Sequence, residues 1–284
     1  MNNILPYRIY YENSQGDAVR LDTPPYVTLG GEHFDSGWKM TTSSRPGRDG
    51  GRLISRKRQS DEKKLRVAVM AETARELADA LERMSDVFAA DVEALRPGRL
   101  WVGERYLRCY CLSEARGLSS DFTGIAEVTL TLLAENPVWC SEELFTFEGG
   151  TITDNGGHKL PYNYPYKYSN SRDIMMVVNR SSVGQPMRIK FCGPSMSPSI
   201  LIGGKLIGLE TELFESEYAV IDQQTREIYK ICADGERVNL FDRRVKNGQT
   251  FAYAPPGHNT VDISGGGGVE VTLITQRGAP RWSN

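Results

Sequence analysis

The sequence predicts a mainly β protein with one helix, divided into two β-rich domains. Short segments of alternating apolar and polar residues recur along the chain, separated by Gly, Pro, Asn and Asp. Near residues 74–95, by contrast, apolar residues recur at spacings of three and four, as in an amphipathic helix. Asn136-Pro137 breaks an alternating strand, because proline removes a ladder donor and disfavours helical geometry in the preceding residue. We therefore expect domains at 1–141 and 142–284.

Length and composition fit two soluble domains of ordinary size. The chain has 284 residues, of which 25% are charged and 39% hydrophobic, so each domain is large enough to bury its own core. The formal net charge of −2 gives no overall attraction to nucleic acid or membrane. The amino terminus lacks a basic region followed by an apolar one, and no apolar run approaches the ~20 residues of a membrane span. We expect synthesis in a cytoplasm, no secretory signal and no membrane insertion.

The first domain is predicted to be an α+β head made of short strands and a single helix. The strands are expected at 4–13, 18–22, 25–31, 65–71, 99–115 and 123–135, with two more around a glycine-rich turn between 36 and 64. The strands at 99–115 and 123–135 form a two-stranded ribbon. The helix starts with a capping box between Thr73 and Glu76, and Pro97-Gly98 ends it.

The second domain contains no segment with a helical period. Its strands are expected at 172–180, 185–193, 199–210, 217–222, 226–233, 250–255 and 268–278. Seven or more short strands separated by Gly, Pro, Asn and Asp turns are typical of a β-sandwich.

Residues 45–66 form a strongly basic segment. Nine positive charges, Lys63 among them, against three negative ones leave +6 over 22 residues. Three interpretations stay open: a nucleic-acid patch, an arm that docks on an acidic neighbouring subunit, and a solvated hairpin whose charges prevent edge aggregation. No aromatic residues interleave with the charges, although single-strand binders usually need them. The arm hypothesis assigns an oligomer interface to Arg45, Arg48, Arg52, Arg56 and Arg58 and, in the acidic helix region that also contains Asp91 and Glu93, to Glu76, Asp79, Glu82 and Asp86.

A catalytic interpretation depends on Ser195 in the string CGPSMSPSILIGG (192–204). This string resembles the serine-methionine motif of Ser-Lys peptidases, in which a desolvated lysine deprotonates the serine. Lys230 is the well-spaced candidate base, but it lies in an alternating strand, and Pro194 replaces the usual acidic or small residue. The alternative is a proline-bounded turn after the strand at 185–193. We expect no enzyme activity.

The remaining polar motifs predict no cofactor and no metal. The three histidines are far apart in sequence, and the glycines at 265–268 lack the Lys-Ser/Thr of a phosphate loop. Five cysteines, an odd number without a CxxC pair, are expected to be reduced and structural. Tyr162, Tyr164 and Tyr166, together with Trp282, are candidates for contact with a glycan or a partner protein. The alternative is that they pack as a linker and a terminal staple.

The order of these segments resembles the distal tail proteins of long, non-contractile phage tails. The likeness lies in PGRDGGRLISRKR (46–58), in the ribbon before Asn136-Pro137 and in three segments of the second domain: EYAVIDQQTREIYKICADGERVNLF (217–241), FAYAPPGHNTVDISG (251–265) and VEVTLITQRGAPRW (269–282). It therefore spans nearly the whole chain.

The resemblance implies a structural virion protein of the phage tail tip. Residues 1–141 would be a tail-tube-like ring or belt domain that forms a hexamer, and residues 142–284 a galectin-like β-sandwich that projects outward. The ring would join the tail tube to the host-recognition apparatus and pass DNA through its channel without reading sequence. Its partners would be the tail tube protein, a tail-associated hub protein and receptor-binding proteins. The alternative is a carbohydrate-binding galectin-like module of a phage or cell-surface protein, since fold alone does not fix function.

Overall fold

The described residues of the computed structural model form two compact units. They are residues 8–44, 46–47, 49–117, 124–148 and 175–281. Unit 1 contains the chain up to Ser141 and the segment from Gln276 onward, and unit 2 contains Glu142–Thr275. The mainly β class with one α-helix, predicted from the sequence, is confirmed among these residues.

Unit 1 is built from antiparallel strands and the helix. Its elements are β1 (Ile9–Glu12), β2 (Ala18–Arg20), β3 (Asp22–Thr23), β4 (Tyr26–Glu32), β5 (Lys39–Ser43), β6 (Arg52–Lys57), β7 (Asp61–Met70), α1 (Ala74–Ala94), β8 (Gly98–Val102), β9 (Arg105–Arg116) and β10 (Ile125–Ala134). The main sheet has the order β9-β10-β7-β4-β3, while β8 joins β9 to β1, and β1 pairs with β2. The predicted ribbon is present as the β9–β10 pair.

The helix covers one face of the main sheet. Its amino terminus has the predicted capping box: the Glu76 amide donates to the Thr73 hydroxyl at 3.2 Å, and the Thr73 amide donates to the Glu76 carboxylate at 3.2 Å. Met84 and Phe88 are buried in the core that the helix shares with the sheet. Burial of such apolar side chains, rather than helix propensity, supplies most of the stability of a helix in a protein.

Strand alternation gives the main sheet one apolar and one polar face. Val67 and Leu65 of β7 are buried opposite Val128 and Leu130 of β10. The opposite face presents Lys64, Arg66, Thr129 and Thr131. Because the helix packs on the apolar face, this polar face is not covered by α1.

Unit 2 consists of two sheets that share one core. Its elements are the end of β11 (Trp139–Phe147), β12 (Met176–Asn179), β13 (Met187–Cys192), β14 (Ser195–Met196), β15 (Ser199–Ile202), β16 (Lys205–Gly208), β17 (Glu212–Leu213), β18 (Tyr218–Asp222), β19 (Glu227–Ile231), β20 (Arg237–Asn239), a 3-10 turn (Phe241–Arg243), β21 (Gly257–Ser264) and β22 (Val269–Arg277). One sheet has the order β20-β19-β18-β13-β22-β11 and the other β12-β21-β15-β16. Side chains of both, such as Ile189 and Ile202, bury into the same cluster, as in the expected sandwich.

Several segments differ from the sequence-based expectation. The single strands predicted at 99–115 and 199–210 are wrong: each is a hairpin, β8–β9 and β15–β16, turned at glycines with positive φ. The strand predicted at 250–255 is wrong: Ala254 forms an isolated bridge to Gln185, and the strand starts later, at Gly257. Pro255 and Pro256 explain the shift, because neither has an amide hydrogen for a ladder. The segment 276–281, which sequence analysis placed in the second domain, belongs to unit 1.

Candidate oligomer interface

The basic segment forms a hairpin of β5 and β6 that pairs with no other described strand. Its register places Met40 opposite Arg56 and Ser43 opposite Arg52. Every residue of both strands is exposed. An isolated two-stranded hairpin is at best marginally stable in water, since three strands or a packing partner are normally needed. The hairpin thus leaves both of its faces available for a partner.

One face of the hairpin is cationic. Because side chains alternate along a strand, Lys39 lies on the same side as Lys57 and Arg52 on the partner strand. Arg52 forms no ion pair with a described residue. Arg45 and Arg48, which were also assigned to the interface, lie outside the described residues.

The other face of the hairpin is aromatic and aliphatic. Trp38, Met40 and Leu53 lie on it with 48%, 58% and 48% of their surfaces exposed. Arg56 and a second arginine, Arg58, place their guanidinium carbons 5.2 and 4.3 Å from the centre of the Trp38 ring. Such cation–π contacts contribute about 0.5–1 kcal/mol at exposed sites. Sequence analysis missed Trp38 because it precedes the basic segment.

The base of the hairpin is held by the end of the chain. The Ser36 amide donates to the Gly278 carbonyl at 2.7 Å, and Arg105 Nη1 donates to the Ala279 carbonyl at 2.9 Å. A Cβ atom on Gly278 would lie 3.3 Å from both Ser36 Oγ and Arg58 Nη2, so little space separates these groups. These contacts explain why the segment after Arg277 belongs to unit 1.

Lys63 does not belong to the exposed charge of the basic segment. It is 1% exposed; its Nζ pairs with Asp61 Oδ2 at 2.6 Å and donates to the Asp35 carbonyl at 3.2 Å. Strand alternation in β7 turns this side chain towards the core face. The ammonium is therefore a structural group of unit 1.

The exposed side of α1 carries a stripe of carboxylates. Asp79, Glu82 and Asp86 are exposed and form no ion pair with a described residue. Glu76, also predicted for the interface, is exposed, but its carboxylate accepts the amides of Glu72 and Thr73. We define the acidic stripe as Asp79, Glu82 and Asp86.

Asp91 does not belong to the exposed acidic surface of the helix, where sequence analysis placed it. It is fully buried, and its carboxylate accepts the Tyr11 hydroxyl at 2.6 Å and the Ser14 amide at 2.6 Å. Burial, more than the neighbouring Cys109 and the Asp91 hydrogen bond, raises the pKa of Tyr11 far above its ordinary value. The hydroxyl therefore stays protonated and donates.

The serine–lysine pair is not arranged as a peptidase site. Lys230 Nζ is 3.2 Å from both carboxylate oxygens of Glu217. The Phe214 amide and then the Lys230 ammonium hold the pKa of Glu217 below its ordinary value. A charged lysine paired with a carboxylate does not act as a general base. Ser195 lies in β14, a proline-bounded strand and turn after β13, as the alternative interpretation expects.

The remaining candidate residues contribute less to the site. Tyr162, Tyr164, Tyr166 and Trp282 lie outside the described residues. All five cysteines are free thiols, and burial raises the pKa of Cys111 to about 12. Within the described ranges, no group of three or more His, Cys, Asp or Glu side chains is placed to hold a metal. In the same part of the chain, no helix is both long and apolar enough to cross a membrane.

Solved phage structures match nearly the whole chain. The SPP1 Dit protein, presented as a paradigm of the hub adsorption apparatus in phages infecting Gram-positive bacteria, is 12% identical with a TM-score of 0.57, covering 95% of this chain and 99% of its own. Chains of the activated phage P2 baseplate with Ca and with Sr give TM-scores of 0.66 and 0.65 at 11% and 13% identity, each covering 96% and 99%. No family model and no curated protein matches.

At these identities the likeness shows the fold. The resemblance to distal tail proteins that the sequence predicts is therefore confirmed as a shared fold over both units.

Proposed function

We propose that this chain is a structural protein of the phage tail tip, acting as a distal tail adaptor rather than as an enzyme. The observation that carries the proposal is the match of 95–96% of the chain to a phage hub protein and to baseplate chains. A match over both units, rather than over a common sandwich alone, favours an adaptor over a lone sugar-binding module. The adaptor joins the tail tube protein to a hub protein and to receptor-binding proteins in the virion.

The adaptor works as a hexameric ring built from unit 1. A head-to-tail ring needs two different complementary surfaces on every subunit. Unit 1 offers the cationic hairpin, with Arg52, Arg56 and Arg58, and the acidic stripe of α1. An exposed hairpin that is marginal by itself gains order when it docks on a neighbour.

The polar face of the main sheet suits the wall of a channel. It mixes Lys64 and Arg66 with Thr129 and Thr131 and, by the same alternation, with the carboxylates of Glu62 and Glu127, while the exposed apolar pair Met70 and Ile125 lies at one end of the face. Hydroxyl groups and mixed charges let a polyanion pass without the dense positive field that holds DNA. In the ring this face lines the route of DNA and of the tape-measure protein.

Charge reversal on the hairpin tests the ring. The variant R52E/R56E/K57E, which changes only exposed cations of the hairpin, should lose the ring mass in light scattering while its circular dichroism spectrum stays that of folded protein. Exposed charges contribute roughly 0–1 kcal/mol per pair to a monomer but act together across an interface. Salt at 1 M should imitate the variant in part, because screening then shortens to ~3 Å.

The matched control reverses three exposed cations of unit 2, in the variant R226E/R243E/K246E. It has the same change of net charge and should keep the ring. An unchanged ring in the hairpin variant would contradict the hairpin interface, and loss of the folded spectrum would place the hairpin charges in the fold of the monomer.

A further inference from the structure

The base of the hairpin carries a second cluster of arginines, of which only Arg58 belongs to the basic segment. We define the foot patch as Arg58, Arg105, Arg277 and Arg281, all of them in unit 1. We infer that the foot patch binds the acidic stripe, Asp79, Glu82 and Asp86, of a second copy of this chain. This inference rests on the ring proposed above and names the contact that closes it.

Geometry brings the four arginines to one short segment near the end of the chain. Arg105 donates to the carbonyl of Ala279, and Arg58 lies against the preceding residue, Gly278. Arg277 and Arg281 flank these two residues on the same short segment. Two of the four arginines thus belong to residues 277–281, and the other two lie against this segment.

The positive charge of the patch is not balanced within the described chain. Burial, followed by repulsion from Arg277 and Arg281, lowers the pKa of Arg105, and Glu104 alone opposes these effects. Arg277 and Arg281 are exposed and form no ion pair with a described residue. A cluster of this kind lowers its energy when carboxylates approach it.

Two polar atoms at the patch are buried with unused hydrogen-bonding capacity. Arg58 Nε and Ser36 Oγ have no hydrogen-bond partner among the described residues, although both atoms are shielded from solvent. Leaving a buried polar atom unpaired costs about 1–3 kcal/mol. These atoms are a second sign, independent of net charge, that the foot of the hairpin is incomplete in the single subunit.

The acidic stripe has the complementary properties. Asp79 and Asp86 are seven residues apart on α1, which separates them by about 10 Å along the helix axis, with Glu82 between them. The exposed carboxylates of α1 number five, Asp79, Glu82 and Asp86 with Glu76 and Glu93, against two arginines, Arg75 and Arg83, so the surface is negative. A row of carboxylates of this length matches several guanidinium groups rather than one.

The two surfaces cannot meet within one subunit. Arg105 is the first residue of β9, whereas the helix contacts the far end of that strand, where Ser85 Oγ donates to Glu114 at 2.7 Å. The nine residue steps from Arg105 to Glu114 span about 30 Å in an extended strand. Complementary charges at opposite ends of unit 1 are the arrangement that a head-to-tail contact between copies requires.

The foot patch binds carboxylates more strongly than the cationic face of the hairpin does. On that face, Arg52 and the lysines are exposed, and exposed charges are screened by salt. Arg58 and Arg105 are half-buried, so carboxylates that reach them are desolvated and more strongly attracted. We expect the hairpin to guide the neighbour and the foot patch to hold it.

A charge-swap experiment tests the contact. R277E/R281E changes only the exposed members of the patch, and E82R/D86R changes the stripe. Arg105 is left intact because it holds the chain end, and Arg58 because it is half-buried against Trp38. Each variant should raise the protein concentration needed for half-assembly at least tenfold, measured by light scattering. The combined variant R277E/R281E/E82R/D86R should return to within about threefold of wild type, since the charges are exchanged across the same contact.

Two controls keep the result decisive. R226E/R243E in unit 2 has the same charge change as R277E/R281E and should assemble like wild type. If R277E/R281E does not fold, R277Q/R281Q replaces it. The concentration for half-assembly of this Gln variant should lie between that of wild type and the tenfold higher value expected of the Glu variant. Assembly of R277E/R281E at the wild-type concentration, or a folded combined variant that stays monomeric, overturns the inference while the ring stands. A wild-type chain that never assembles overturns the ring and this contact together.

Discussion

Tyr11, Asp91 and Gly98 form a buried contact that ties three elements of unit 1 together. The Tyr11 hydroxyl of β1 reaches the carboxylate of Asp91 near the end of α1, and Gly98 at the start of β8 lies against both. A Cβ atom on Gly98 would lie 2.4 Å from the hydroxyl and 2.3 Å from the carboxylate, so a larger residue does not fit there. The contact fixes the carboxyl end of the helix over the sheet.

We expect Tyr11→Phe to lower the free energy of unfolding by about 1–3 kcal/mol, because the buried Asp91 carboxylate loses a donor. The measurement is a urea titration followed by circular dichroism. Tyr10→Phe is the matched control, since the half-buried Tyr10 stacks its ring on Trp101 and its change should cost less than about 0.5 kcal/mol. Equal stability of the two variants would contradict the role given to Tyr11.

Glu217 should make the stability of unit 2 depend on pH. Its pKa is lower in the folded chain than its ordinary value, so its contribution is complete above about pH 4.3 and is lost as the pH falls through the lower, folded value. Glu217→Gln should therefore be less stable than wild type at pH 7, with the difference shrinking below about pH 4. Urea midpoints at pH 7, 5 and 3.5 measure this. A difference that is constant with pH would contradict the assignment.

Sequence patterns predict the element in which a charged residue lies but not the residue with which it pairs. Helical spacing placed Asp91 with the acidic residues of α1, and its burial depends on Tyr11, 80 positions away. Lys63 was counted with an exposed segment, and strand alternation in β7 turns it inward instead. Contacts of this kind depend on distant segments, which one sequence does not pair.

At the scale of elements, α1 is the part most fully determined by local sequence. Its capping box, its apolar spacing and its end near Pro97-Gly98 all lie within one segment, and the observed helix runs from Ala74 to Ala94. The turn at 14–17, between the strands expected at 4–13 and 18–22 and observed as the β1–β2 pair, is likewise local. The strand at 250–255 was misplaced because the aromatic-aliphatic alternation continues into residues whose prolines prevent pairing.

We expect Thr73→Ala to destabilise unit 1 by about 1 kcal/mol, because the Glu76 amide loses the hydroxyl that caps it. Thr73→Ser keeps the acceptor oxygen and should stay within about 0.5 kcal/mol of wild type. Thermal unfolding by circular dichroism compares the three proteins. If the Ala and Ser variants have the same melting temperature, the cap contributes nothing to the stability of the unit.

The isolation of the β5–β6 hairpin is an element-scale feature that sequence analysis could not settle. Alternation and a glycine-rich turn predict two strands, but not whether a third strand pairs with them. The apolar exposure of Met40 and Leu53 becomes visible only when the register is known. The sequence alone therefore does not decide between the three interpretations of the basic segment: an arm, a nucleic-acid patch and a solvated hairpin.

At the scale of the molecule, we propose that the two units are separately folding domains. Limited trypsin digestion should cut first between about residues 145 and 172, where Lys159 and Lys167 lie, before either core is lost. The two fragments should stay associated under native conditions, because the chain end is hydrogen-bonded to Ser36 and Arg105 in unit 1. Primary cleavage within 185–233 would contradict the boundary.

The path of the chain end marks the limit of sequence reasoning at this scale. The alternation in 268–278 predicts a strand and gives no sign that Gly278 and Ala279 cross to the other unit. Loosely matching motifs nonetheless predicted the fold, because their order along the chain is itself informative. They were not enough for the foot patch, whose arginines come from three separate segments.

The central claim is that six copies of this chain form a ring, and the molecular mass of the purified protein tests it most directly. Light scattering coupled to size exclusion, in low salt and over a range of concentrations, should show a species of about 190 kDa, six times the 31.7 kDa of one chain. Added salt should shift this species towards the monomer. A single 31.7 kDa species at every concentration, persisting when the tail tube protein is added, would contradict the account.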